Sequence, residues 1–273
     1  NNSFNGCSSL VQITVPSSVT EIESHSFSGC SSLVQITIPS SVTAIDSNSF
    51  SGCSSLEQID IPSSVKKINS YAFEGCHSLK QLTIPSSVAS IGSDAFKDCR
   101  SLTQVSFESF TSLSLINAHI FDGCSSLIQI TIPSSITSIK RYAFANCESL
   151  AEVSFEDPSS LECIEGHAFQ DCSSLKQIRI PASVKSIGTY AFMSCSSLED
   201  VSFDDHSSLA SIENCAFGEC VKLSKIKIPY SVTNIGLLIF NKCESLIDVL
   251  IPMTITKQNW ELGINSDVEV TQY

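Results

Sequence analysis

Apolar residues recur along this chain in three short patterns, always in the same order. The first is L-x-x-I-x-I, as in Leu33, Ile36 and Ile38 or Leu79, Leu82 and Ile84. Its alternating end predicts a short strand with one buried face. A proline follows at Pro16, Pro39, Pro62, Pro85, Pro133, Pro181, Pro229 and Pro252; lacking an N–H, it ends the ladder and turns the chain. The second pattern, V-x-x-I (Val42, Ile45), predicts an extended return on the opposite face. The third runs from a small residue into F-x-x-C-x-x-L, as at Ala72-Phe73 or Ala143-Phe144, and predicts a single helical or 3-10 turn. The residue before the cysteine is Gly6, Gly29, Gly52, Gly75 or Gly123, or else Asp98, Asn146 or Asp171. These types tolerate φ > 0 and predict a left-handed cap. Ser194, Glu219 and Lys242 hold the same slot elsewhere.

The three patterns return with a fixed period. Phe27, Phe50, Phe73 and Phe96 stand 23 residues apart, and Phe121, Phe144, Phe169, Phe192, Phe217 and Phe240 continue at steps of 25 and 23 in alternation, with Phe4 opening the series. A period in the twenties marks a solenoid, in which each coil buries its apolar edge against its neighbours. The fold predicted is an α/β solenoid of about eleven 23–25-residue coils, with a parallel sheet on the concave face and short helical or 3-10 turns and extended segments elsewhere. The chain reads as one domain over 1–273, with repeats over 1–256 and an atypical C-terminal cap over 257–273, where Trp260, Leu262, Ile264, Val268 and Val270 form a shortened last coil. Three coils carry two extra residues at one point, after the strand: Glu108-Ser109, Glu156-Asp157 and Asp204-Asp205. Each also ends its strand in Phe (Phe107, Phe155, Phe203). Falling in alternate coils, the insertions are expected about 10 Å apart along one rim.

Charge and composition narrow the partners. The net charge is -13, from 28 acidic against 15 basic residues, which argues against nucleic acid or an anionic membrane as partner. No run of 18 apolar residues is present, so membrane insertion by this segment is not expected. The chain opens at Asn1, part-way through a coil and with neither leader nor cap; a mature form or a fragment is the expectation. Eleven of the 13 cysteines share one inward position between Phe and Leu. A column of side-by-side thiols suits neither disulfide geometry nor four converging zinc ligands, and predicts buried thiols acting as small apolar groups. Cys163 and Cys215, two coils apart, are not expected to meet.

The full pattern, L-x-x-I-x-I-P-x-S-V-x-x-I-x-x-x-A-F-x-x-C-x-S-L, is carried by Ile180-Pro181-Ala182-Ser183-Val184 through Ile187 and Ala191-Phe192 to Cys195. It resembles the leucine-rich repeat superfamily, and within it the BspA-like class, over residues 1 to 256. The resemblance implies a non-enzymatic protein-binding module: a cell-surface or secreted adhesin or antigen contacting host or matrix proteins. A cytoplasmic location stays open. Two other functions fit the same pattern, an intracellular protein-interaction scaffold and a spacer without a binding role.

The concave face is written by two polar positions per coil. One runs Gln12, Gln35, Gln58, Gln81, Gln104, Gln129 and the other Thr14, Thr37, Asp60, Thr83, Ser106, Thr131. Such monotony predicts side-chain ladders. In the C-terminal third Arg179, Asp200, Lys225, Lys227 and Asp248 break it, and a protein ligand, such as an extracellular-matrix or host surface protein, is expected there on charge complementarity. The acidic rim of the insertions falls short of the six or more oxygens calcium wants, and is expected to be solvated loop. His25, His119 and His167 share a slot with Asn48, Tyr71, Asp94, Tyr142 and Leu238, hence a partly exposed surface position. No nucleophile elbow, phosphate loop, H-E-x-x-H or C-x-x-C occurs, so neither catalysis nor a cofactor or metal is expected. One glycosylation sequon, Asn1-Asn2-Ser3, opens the chain.

Overall fold

A computed structural model describes residues 2–109, 111–256, 259–265 and 268–273. Asn1 of the sequon and the Trp260 side chain fall outside the described residues. The chain winds into a solenoid with parallel strands on two sides. A front sheet is built from the L-x-x-I-x-I segments, beginning at Gln12–Thr14 and Gln35–Thr37 and continuing to Asp248–Ile251. Equivalent positions lie in register, Gln12 beside Gln35 and Lys225 beside Asp248. A back sheet of two-residue strands runs from Glu21–Ile22 to Asn234–Ile235, interrupted between Ser90–Ile91 and Leu115–Ile116.

The third side holds the F-x-x-C segments, and here the expected helical or 3-10 turn gives way to something else. Successive i→i+3 turns are closed by Ser26 N–H to Glu23 O (3.1 Å), Ser28 N–H to His25 O (3.3 Å) and Cys30 N–H to Phe27 O (3.1 Å). They cannot run on as a helix because two residues per coil are left-handed: His25 at φ 57° and Gly29 at 72°, with equivalents at Asn48, Tyr71, Asp94, Tyr142 and Tyr190. The left-handed residue before the cysteine is the one foreseen where it is Gly, Asp or Asn, and Ser194, Glu219 and Lys242 adopt the same conformation without that signal. The second is held by bonds from coil to coil. His25, Phe27 and Gly29 donate to the carbonyls of Ser47, Ser49 and Ser51 at 3.2, 2.7 and 2.7 Å, so this side is laddered too. Among the described residues the one α-helix is Asn259–Leu262.

Inside, side chains one period apart sit above one another. From Phe4 to Phe240 the rings stack with centroids 5.0–6.2 Å apart and planes within 2–18°, an offset geometry that aromatic rings favour. Beside them runs the thiol column. Cys53 Sγ donates to Phe27 O at 3.1 Å, Cys147 Sγ to Phe121 O at 3.3 Å and Cys243 Sγ to Phe217 O at 3.1 Å. Each of these carbonyls also accepts the N–H of its own coil's cysteine, so both lone pairs are used. Cysteine is small and apolar enough for the core yet carries the donor this site needs. All 13 cysteines are free.

Burial keeps the column unreactive. At Cys53 desolvation, then the neighbouring Cys30, pushes the thiol up to about 12, leaving a thiolate fraction of about 10⁻⁴ at pH 8. Native labelling with a thiol reagent at pH 8 should therefore modify only Cys7, Cys163 and Cys215, the three that are not fully buried. Prompt native reaction of the rest would contradict this packing.

The front sheet breaks at Gln58, which pairs only as a bridge to Gln35, and again after the second and third insertions. Glu108, Glu156 and Asp204 N–H donate to Ile84, Ile132 and Ile180 O at 3.0, 3.0 and 3.1 Å, each bonding back to the preceding coil. The Glu108 and Glu156 carboxylates then accept the Ser86 and Ser134 N–H at 3.0 and 2.9 Å. Drawn backward, each long coil leaves the next one. Gln104–Phe107 pairs at four positions with the strand before it and at one with the strand after. Glu152–Phe155 and Asp200–Phe203 pair fully backward and not at all forward. At the far end Leu262, Ile264 and Val268 are buried over the last coil, and Glu269–Gln272 adds a strand in register with Asp248–Ile251.

Candidate interaction surface

Over most of its length the front sheet is polar and repetitive. Thr83 and Ser106 hydroxyls bond across adjacent coils at 3.1 Å, and Thr131 and Ser154 at 2.9 Å. These two pairs satisfy each other's hydroxyls, but the expected Gln ladder does not form: among the described residues no side-chain hydrogen bond joins Gln12, Gln35, Gln58, Gln81, Gln104 and Gln129. Elsewhere the charged residues also pair from coil to coil, as Lys80 with Glu57 (2.7 Å), Lys140 with Glu165 (2.7 Å) and Lys242 with Glu219 (2.6 Å).

The C-terminal third differs. Asp200, Lys225, Lys227 and Asp248 line one depression of about 700 Å³. Lys225 and Asp248 are register partners across two paired strands, whereas Asp200 faces them over the gap where the ladder is broken. Arg179 is not brought into this depression. It lies one opening back, where its guanidinium is engaged by Asp204, the carboxylate that follows Phe203. Among the described residues Lys225 and Lys227 form no ion pair.

Sequence reasoning missed two tyrosines. The cap strand carries Tyr273 beside the sheet, where Lys227 Nζ sits 4.6 Å from its ring centre, an attractive cation–π contact. Its hydroxyl donates to Ile228 O at 2.6 Å. Burial, then the nearby Tyr230, raises the phenol above its ordinary value, so it remains a donor. Tyr230 packs tilted against it at 4.2 Å and is 67% exposed. Tyr273 lies outside the repeat, so no periodic signal could have placed it here.

Other sequence candidates resolve simply. Glu108, Glu156 and Asp204 spend their carboxylates on turn N–H groups or on Arg179, and no metal-binding group of His, Cys, Asp or Glu occurs among the described residues. His119, Tyr142 and His167 stack at 4.7 and 4.3 Å along the third side. His119 Nδ1 lies 3.0 Å from the Asp122 carboxylate. No helix among the described residues is long and apolar enough to cross a membrane.

A family model described as a BspA type leucine rich repeat region matches six copies, over residues 1–115, 114–247 and 205–261. Among solved structures, a leucine rich cell surface protein from Faecalibacterium prausnitzii is similar at 30% identity, over 96% of this chain and 79% of its own, with a TM-score of 0.58. A leucine-rich repeat protein from Bacteroides ovatus is 26% identical over 100% and 86% of the two chains, at a TM-score of 0.52. The pneumococcal vaccine antigen PcpA shares the fold at 24% identity and a TM-score of 0.62, over 96% of this chain and 78% of its own. No curated protein matches.

Proposed function

The chain belongs to the BspA-type leucine-rich repeat family, and on that footing we propose that it is a non-enzymatic protein-binding module, displayed at a cell surface or secreted, that contacts a host surface or matrix protein through the C-terminal third of its front sheet. The observation that carries this is a local one. Where Thr83 pairs with Ser106 and Thr131 with Ser154 elsewhere on the sheet, Lys225 and Lys227 stay exposed and free of carboxylate partners, beside Asp200, Asp248 and Tyr273. Unpaired charges next to an aromatic ring suit a complementary protein surface better than they suit stability. The similar cell surface protein from Faecalibacterium prausnitzii supports the location.

Reversing Arg179, Lys225 and Lys227 together to Glu tests it. These residues are exposed, so the fold should survive. Binding to a panel of purified matrix proteins should weaken at least tenfold, or about 1.4 kcal/mol. Unchanged affinity would remove this patch. An intracellular scaffold of the same fold is favoured by one observation, the 13 free thiols. Protease treatment of intact cells separates the two, since a surface-displayed chain is digested and an internal one is spared.

A further inference from the structure

Three notches open along one rim of the front sheet, one after each insertion, and they enlarge toward the C-terminus from about 270 to 560 to 700 Å³. All have one design. A half-buried phenylalanine (Phe107, Phe155 or Phe203) forms one wall and the next coil's proline (Pro133, Pro181 or Pro229) the other. Carboxylates stand at the mouth, with Asp157 and Asp205 exposed beside the second and third.

The spacing selects a backbone. Notches two coils apart are separated by about 9.5 Å, twice the spacing of neighbouring strands. A β-strand returns a side chain to the same face every ~6.7 Å, and a helix every seven residues, about 10.5 Å. Polyproline II does so every three residues, about 9.3 Å. Only the last stays in step across three notches.

We infer that this row binds an extended polyproline II segment of a partner protein, with an apolar side chain at every third residue and basic residues between them. The apolar groups enter the aromatic- and proline-walled notches, the recognition mode such segments favour. The basic groups face Asp157 and Asp205, and a carboxylate of the partner meets Lys225 and Lys227 at the C-terminal end of the row. This rests on the front sheet being the protein-binding face.

Fluorescence anisotropy with two twelve-residue peptides tests it. One repeats leucine, proline and lysine in strict triplets. The other has the same composition with no two leucines three residues apart. The triplet peptide should bind at least tenfold tighter, and the exposed double change Asp157→Lys with Asp205→Lys should weaken it at least fivefold. Equal affinity of the two peptides, absence of binding by either, or indifference to the double change would overturn the inference. If matrix-protein binding still falls on reversing Lys225 and Lys227, the inference alone has failed. If that binding is also unaffected, the protein-binding face itself is misplaced.

Discussion

Raising the pH from 8 to 10.5 should unfold this protein outright. Nine thiols, from Cys53 to Cys243 along the repeat column, are held above their ordinary value, first by burial; Cys53 and Cys243 reach about 12. The folded chain keeps these protons, while the unfolded chain releases them from about pH 8.5. Their stabilising effect is therefore complete below that pH and is lost as pH climbs toward the folded values. Once the unfolded thiols are ionised, each one lowers stability by about 1.4 kcal/mol per pH unit. The nine together reach on the order of 12 kcal/mol per unit, comparable with the whole stability of a typical domain. Far-ultraviolet circular dichroism under reducing conditions should show a cooperative loss of structure between pH 9 and 10.5, reversed on neutralisation. Replacing Cys99, Cys124, Cys147 and Cys172 with Ala should lower stability at pH 7 yet flatten the alkaline fall. A chain unchanged at pH 11 would mean the thiols are not sealed inside.

Most of that packing is readable in the sequence, because a solenoid converts sequence period into spatial adjacency. The phenylalanine and cysteine columns, both extended segments and the left-handed Gly, Asp or Asn before most of the cysteines follow from spacing and residue type, whereas Ser194, Glu219 and Lys242 take that conformation with no such signal. The second left-handed slot does not. Its occupants include His25, Tyr71, Tyr190 and Leu238, which carry no turn signal, since a non-Gly residue there costs about 1–2 kcal/mol. Bonds between coils, such as His119 N–H to Arg141 O at 3.0 Å, impose the conformation, and such bonds are invisible locally. The notches are half readable. Their positions follow from the insertions, but their opening depends on Glu108 and Glu156 reaching back to the preceding coil. The charged patch stands out by breaking a monotony, whereas Tyr273 arrives through the cap strand and Arg179 leaves through Asp204, neither of which any period encodes.

The phenylalanine column makes a positional prediction as sharp as the thiol column's. Phe144 is fully buried between Phe121 at 5.5 Å and Phe169 at 5.2 Å. Phe144→Ala removes both ring contacts, and each is worth about 0.5–1.5 kcal/mol beyond area alone. It also leaves a ring-sized void in a core whose neighbours are fixed by laddered backbone on three sides. Relaxation is thereby limited, and the loss should be about 3–5 kcal/mol. Phe4 stacks on one side only, at 5.3 Å, and is 36% exposed, so Phe4→Ala should cost no more than about 1 kcal/mol. Stability in a solenoid is carried by nearest-neighbour interfaces. The central change should accordingly do more than shift the urea midpoint: it should split one transition into two, as the coils on either side of Phe144 melt separately, while the terminal change keeps a single transition. Equal costs at the two positions would mean that the rings do not form a continuous column, since in such a column an interior member has two partners and an end member has one.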